Sequence, residues 1–330
     1  MILYDKGLYC KGADLWMDSK RVKPFCYVSH AHSDHAARHK RIISTPETAA
    51  FLSQRFNVLD IETVPFNQWI QHNGARFKLF PAGHILGSSQ ILIETGDCRI
   101  VYTGDFRLGK SRSCEDAEVN KCDVLIMETT YGTPEYTFPD RLEVEEEFVA
   151  FINQALNRGQ VPVVMAYSLG KAQEAIAILS NAGIRIQVEK SIYKLARIYE
   201  RFGVQLGRYS KFTGADFGAA LIIPPHMKNF KNIQAIPDKT LIFLTGWGAG
   251  DKIQSRFSAD KVFILSDHCD YLSLMRYVEE TSPRRIYTLH GFEAFAAYLR
   301  AQGYNAVAMK PGVEYQLSRP IFYNNLDLFK

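Results

Sequence analysis

The densest chemistry in this chain is SHAHSDH at residues 29 to 35, where His30, His32, Asp34 and His35 place four metal-competent side chains in six positions. The apolar run before it, Phe25, Cys26, Tyr27 and Val28, reads as a short buried strand that ends at Ser29 and delivers the group onto a loop. If the chain stays extended through the first pair, the two-residue period of a strand aims His30 and His32 to one side. Asp34 and His35 would then face a second ion. A carboxylate interleaved among three histidines at this spacing sets the motif apart from a chance gathering on a solvated loop.

Four further candidates end predicted strands, and a fifth, His84, lies in the turn GHILGSS that follows the strand RFKLF. There the missing side chains of Gly83 and Gly87 let backbone and substrate approach closely. As a lone loop histidine His84 is open between solvation and ligation, and the upstream cluster favours ligation. Asp105, in YTGDF, reads either as an ordinary turn residue or as a carboxylate spanning two cations about 3.5–4 Å apart. Glu128 ends DVLIMET, His268 ends VFILSDH and His290 ends IYTLH. His290 would complete the second ion's shell. His268, beside Asp267 and Asp270, would be a protonated imidazole that gives a proton to a leaving oxygen, with Glu128 orienting it. His39, His72 and His226 have no partner motif and read as surface or loop residues.

AYSLGKAQE at 166 to 174 places Ser168 and Lys171 between a strand and the start of a helix, where free amides, a hydroxyl and an ammonium make an anion site. The pattern is not a full P-loop, so a turn with a solvated charge stays open beside it.

The elements that must position these residues follow from pattern. Thr45 followed by Pro46 starts a helix with Ala49, Ala50, Phe51 and Leu52 on its apolar face. SQILIET and CRIVYTG, separated by Gly96 and Asp97, predict a hairpin. From residue 140 the style changes: Asp140 and Glu143 resemble a capping box, Phe148, Val149, Ile152, Ala155 and Leu156 carry the helical period, and strands then alternate with helices. Alternation of this kind predicts a parallel, doubly wound sheet. The expected organisation is α/β, with residues 1–139 and 256–330 forming one metal-binding domain and residues 140–255 inserted as a second.

At 330 residues, 47% hydrophobic and 22% charged, the chain can bury two cores. No apolar run approaches the ~18–20 residues that span a bilayer, and the N-terminal stretch lacks a signal-peptide core. The expectation is a soluble, cytoplasmic protein without membrane contact. Six scattered cysteines form no CxxC pair and read as reduced thiols. A net charge of +4, from 39 basic and 35 acidic residues, does not by itself announce nucleic acid; the runs Arg38 to Arg41 and Arg107 to Arg112 are weak local signals.

In this order, SHAHSDH, GHILGS, YTGDF, METTYG, LSDH and TLHG resemble the β-CASP family of metallo-β-lactamase-fold nucleases across nearly the whole chain. The resemblance implies a four-layer αββα sandwich interrupted by a β-CASP α/β domain, with the active site between them. It implies a first metal on His30, His32 and His84, a second on Asp34, His35 and His290, and Asp105 as the bridge. Glu128 and His268 match the acid and proton-donor motifs. Glu128 and His290 look like the RNA-processing branch, whereas YSLGKAQE resembles the phosphate pocket of the DNA-repair branch. The opening GLYCKGADLWMDS and the ending LHGFEAFAAYLRAQGYNA look most like the prokaryotic DNA ligase-associated exonucleases, whose resemblance implies a ligase and a helicase as partners.

The expected chemistry is phosphodiester hydrolysis with two Zn²⁺, Mn²⁺ being the alternative at carboxylate-containing sites. If Ser168 and Lys171 hold a terminal phosphate, the expected activity is a DNA exonuclease starting at a 5′ phosphate. A ribonuclease is the competing enzymatic reading. A catalytically dead scaffold is opposed by the complete ligand set, and a small-molecule esterase by the inserted domain.

Overall fold

Neighbouring residues on the central strands point into different cores, and this two-residue alternation explains the layering. The computed structural model describes residues 1–56, 60–96, 98–248 and 255–317. A first sheet runs in the order Val313–Tyr315, Ile2–Tyr4, Leu8–Cys10, Leu15–Met17, Phe25–Tyr27, Arg41–Ser44, Ile61–Thr63. A second runs Ala306–Ala308, Arg285–Leu289, Val124–Glu128, Cys98–Tyr102, Ser89–Thr95, Ala75–Pro81, Trp69–His72. Both are mixed: Leu15–Met17 to Ile61–Thr63 pair in parallel, as do Ala306–Ala308 to Cys98–Tyr102, and the remaining neighbours are antiparallel.

Ile43, Ile91, Ile93 and Ile126 point into the core between these two sheets. Their chain neighbours Ile42, Leu92 and Leu125 point outward. Outside the first sheet Ile42 meets Phe51 and Leu52 of the helix Pro46–Arg55. Outside the second, Leu92 and Leu125 meet Leu274, Tyr277, Phe295 and Leu299 of the helices Tyr271–Thr281 and Glu293–Ala301. The result is four layers, helix, sheet, sheet, helix. The Thr45 hydroxyl accepts from the Thr48 amide at 3.2 Å and Pro46 opens the helix, as the sequence predicts. The predicted hairpin closes with Thr95 opposite Cys98; Asp97, the second turn residue, lies outside the described residues.

The third sheet is wholly parallel, in the order Ser210–Lys211, Ile186–Val188, Ala220–Ile223, Val161–Met165, Lys239–Thr245, Lys261–Ile264. The helices Arg141–Asn157, Lys171–Asn181 and Lys190–Arg201 cover one face, and Ile233 of the short helix Lys231–Gln234 packs on the other. Asp140 caps the first of these helices by accepting from the Leu142 and Glu143 amides. The Tyr199 ring packs at a tilt against Phe51, 5.5 Å away, fastening this unit to the four layers.

One strand departs from expectation. Lys261–Ile264 pairs with Lys239–Thr245 in the third sheet, so that sheet runs past residue 255 rather than leaving VFILSDH to the flanking sheets. A short apolar run carries no mark of which nonlocal partner it will pair with.

Candidate metal centre and active site

Every residue of the cluster sits just past the carboxyl end of a strand, on a loop. The chain leaves Phe25–Tyr27 and turns irregularly through Ser29 to His35, so His30 and His32 converge through a bend rather than through strand alternation. His30 Nε2 lies 3.1 Å from His32 Nδ1, and His84 Nε2 lies 3.1 Å from that same atom. Neither contact is a hydrogen bond, because each ring has its proton elsewhere. His84 Nδ1 faces the Asp267 carbonyl at 2.7 Å and His32 Nε2 faces the Leu169 carbonyl at 3.1 Å; a carbonyl only accepts, so those nitrogens donate. The Ser29 hydroxyl donates to Asp18 at 2.5 Å and so accepts from His30 Nδ1 at 2.9 Å. Three lone pairs therefore point at one spot, joined by Asp105 Oδ2 at 3.6 Å from His30 Nε2 and 3.9 Å from His84 Nε2. All four ligand atoms lie within 4.8 Å of one another. Such an arrangement is repulsive unless a cation sits in it, and the donor set suits a divalent ion with imidazole and carboxylate affinity.

The electrostatics agree. Burial pushes His30 and His32 below the ordinary imidazole range, and burial with His268 nearby takes His84 to about 3. All three stay neutral, as ligands must. Burial alone would raise Asp105, but His35 beside it holds the carboxyl well below the usual carboxylate range.

His35 opens a second position. Its Nδ1 donates to Asp18 at 2.8 Å, and its Nε2 lies 3.3 Å from Asp105 Oδ2 and 3.9 Å from Asp34 Oδ2. Burial works against protonation here, yet Asp105 and Asp18 raise His35 well above the ordinary range. Asp34 is mostly exposed, and the His290 ring lies 5.6 Å from that of His35. This half is more open than the first. His290 has a left-handed backbone at φ 53°, and Gly291 follows because a Cβ there would lie 1.8 Å from the Thr129 carbonyl oxygen.

Beside the cluster, His268 Nδ1 bonds Glu128 Oε1 at 2.8 Å, and Glu128 Oε2 accepts from the Thr130 amide at 2.9 Å. Burial opposes protonation of His268, but Glu128 outweighs it and raises the imidazole to about 9. Its ring lies 4.7 Å from that of His84.

No family model matches the chain. Over 313 residues, 93% of this chain, it is 37% identical to an Opitutus terrae protein named Probable DNA ligase, and spans 31% of that protein. It is 32% identical over 206 residues, 54% of this chain and 49% of the relative, to an RNase J-like protein of Methanocaldococcus jannaschii. Over 188 residues, 54% of this chain and 24% of the relative, it is 32% identical to cleavage and polyadenylation specificity factor subunit 3 of Dictyostelium discoideum. The chain thus spans half or less of the length of these relatives. The chain belongs to the β-CASP family of metallo-β-lactamase-fold nucleases. Among solved structures, a protein of unknown function from Enterococcus faecalis V583 shares the fold, with a TM-score of 0.58 and 15% identity over 87% of this chain and 79% of that one.

In this β-CASP chain the cluster opens into a cleft of about 860 Å³. Tyr131, Tyr167 and Trp247 line it, together with Ser168, Ser191, Arg55 and Lys194. Lys171 lines the same cleft, but its ammonium is buried and donates to Asp267 Oδ1 at 2.7 Å and the Leu265 carbonyl at 3.1 Å. This ion pair neutralises the charge that the anion reading of Lys171 relied on. Lys171 holds Asp267, whose carbonyl in turn orients His84. Gly170, at φ 93°, brings the helix start so close that a Cβ would fall 2.3 Å from Ile85. Helix and His84 loop are thereby packed together.

Two residues escaped the sequence reading. Asp18 is buried and accepts from the Ser29 amide and hydroxyl, Tyr102 and His35, so it fixes both His30 and His35. The only signal was an aspartate in the turn-prone pair Asp18 and Ser19, which is common. His39, expected at the surface, is buried, with Nδ1 accepting from the Lys23 amide at 3.1 Å; a fold in the loop beyond the cluster turns it inward. His72 is partly buried beside Phe25, and His226 is exposed.

Proposed function

We propose that this protein hydrolyses phosphodiester bonds in polynucleotides with the help of two divalent metal ions. The observation that carries the reading is the convergence of three imidazole lone pairs and Asp105 beside the partly buried His268–Glu128 pair, in a cleft of about 860 Å³. His30, His32, His84 and Asp105 would hold one ion; Asp34, His35 and His290, sharing Asp105, would hold the other. Zn²⁺ fits this nitrogen and oxygen mixture, with Mn²⁺ the alternative at the carboxylate-rich half. When bound, the ions supply a water acidic enough to ionise near neutral pH and positive charge to offset the phosphate. His268 keeps a proton at Nε2 for the departing sugar oxygen, and Glu128 fixes its ring and its charge. The unit from residue 140 through the strand Lys261–Ile264 acts as the β-CASP insert that closes the cleft over the bound polynucleotide.

The preferred substrate is DNA, processed from a 5′ phosphate. Support comes from the relative named as a ligase, which matches 93% of the chain, and action alongside a ligase in DNA repair is part of this reading. Ser168 would contact the terminal phosphate, with Arg55 and Lys194 supplying the exposed positive charge that Lys171 lacks. Ribonuclease action is the second reading, favoured by the relatives named RNase J-like protein and polyadenylation specificity factor subunit.

Digestion of matched end-labelled DNA and RNA, with and without a 5′ phosphate and under defined Zn²⁺ or Mn²⁺, tests both. Faster loss of 5′-phosphorylated DNA is the expected result. A clear preference for RNA overturns the DNA assignment, and no cleavage of either polymer overturns the nuclease itself.

A further inference from the structure

Two aromatic residues that line the cleft, Tyr131 and Trp247, join Tyr136 and Phe292 in a strip built from segments far apart in sequence. Tyr131 follows the strand Val124–Glu128, Tyr136 sits on the turn Pro134–Tyr136, Trp247 follows the strand Lys239–Thr245, and Phe292 precedes the helix Glu293–Ala301. The rings form a connected strip. Tyr131 lies 4.9 Å from Trp247 at 62°, Tyr136 lies 5.7 Å from Trp247 at 88°, and Tyr136 stacks on Phe292 at 5.8 Å and 20°. The strip begins at the reacting groups, since the Tyr131 ring is 6.0 Å from that of His268. Gly246 is required for its assembly: a Cβ there would meet the Tyr131 hydroxyl at 2.4 Å.

Edge-to-face contact with two neighbours fixes the plane of the Trp247 indole, yet 44% of the residue stays accessible, as does 37% of Phe292. Leaving large aromatic surface in water costs hydrophobic free energy that the fold recovers only when a flat apolar partner covers it. The same cleft is lined by Arg55 and Lys194, neither in an ion pair among the described residues. A cleft lined by both cations and an exposed aromatic face matches a strand that offers both phosphates and base faces.

We propose that Trp247, backed by Tyr136 and Phe292, is a stacking platform for a nucleobase of the strand bound in the cleft. This rests on the nuclease reading. Stacking uses the face of any base, so the platform tolerates sequence, whereas a duplex hides the base faces it needs.

The test uses full-length protein stripped of metal, so that binding is read without cleavage. With Trp16 and Trp69 replaced by Phe, Trp247 is the one remaining indole, and its fluorescence is expected to quench on adding single-stranded oligo-dT or oligo-dA but not a matched duplex. Trp247→Ala is expected to weaken single-strand binding about tenfold for both oligomers. Trp247→Phe should restore most of it, and Trp247→Leu, apolar without a stacking face, should not. Equal quenching by duplex, full affinity in Trp247→Ala, or equal rescue by Leu overturns the platform. So does a Trp247→Ala protein that binds the oligomers normally but loses self-association, which would make the strip a protein contact. Metal-loaded wild type is assayed in parallel: if it cleaves single strands while Trp247→Ala behaves as wild type, the platform alone fails, and if it cleaves no polynucleotide, the nuclease reading fails.

Discussion

Lys171 and Asp267 form a buried ion pair, with Nζ 2.7 Å from Oδ1, and the carbonyl of that same aspartate accepts from His84 Nδ1 at 2.7 Å. A helix start in the third sheet's unit thus sets the tautomer and tilt of an imidazole in the four-layer part. Partners of this kind typically change metal affinity ten- to a hundredfold when removed.

Lys171→Met is therefore expected to weaken metal binding by about tenfold or more, measured by competition with a chelating dye. The KM for 5′-phosphorylated ends should not rise when metal is saturating. If affinity for metal is unchanged while that KM climbs, Lys171 contacts phosphate after all.

Asp34 is mostly exposed and packs in no core, so its replacement tests chemistry without disturbing the fold. Asp34→Ala should lower the cleavage rate by about a thousandfold, the scale of about 4 kcal/mol in the barrier, at unchanged thermal midpoint. Near-normal turnover with metal present would remove Asp34 from the ligand set.

At His39 the consequence concerns stability. Burial depresses this imidazole from 6.5 to about 4, so between those values the unfolded chain binds the proton more readily than the folded one. Stability from this group is full above the unfolded value and is lost as pH falls towards the folded one. The loss amounts to about 2 kcal/mol after discounting for solvent near the ring. Urea unfolding near neutrality and near pH ~5 should show a smaller acid loss for His39→Gln than for wild type. Identical losses in the two proteins would show that the ring is not held neutral.

Gly291 tests how tightly the second position is held. A Cβ there would collide with the Thr129 backbone, and the Thr130 hydroxyl already bonds the His290 carbonyl at 3.2 Å. Gly291→Ala should cost about 1–3 kcal/mol, as overpacking does, and should weaken the second metal equivalent more than the first in a calorimetric titration. Equal weakening of both would mean that His290 serves no separate ion.

The convergence of the cluster was legible because its candidate ligands lie in compact local motifs: His30 to His35 on one loop, His84 and Asp105 each just beyond a β-rich run. Asp18 was not, since its role exists only where Ser29, His35 and Tyr102 fold onto it. The helix at Pro46 and the hairpin before Cys98 could be read from caps and turns. The three-residue strands Ile2–Tyr4, Leu8–Cys10 and Leu15–Met17 could not, being too short for any period to register. Lys171 was misread for a related reason: sequence shows a lysine at a helix start, but its acidic partner lies 96 residues away.

His32 and His84 each hand a proton to a main-chain oxygen, that of Leu169 and that of Asp267, and side-chain substitution cannot remove either acceptor. A chimera built by grafting another protein's insert onto these flanks would keep the Asp267 carbonyl but lose that of Leu169, so it would inherit the His32 imidazole without its setting unless the donor backbone happened to present a carbonyl at the same place. The two parts can be exchanged between relatives only as a matched set.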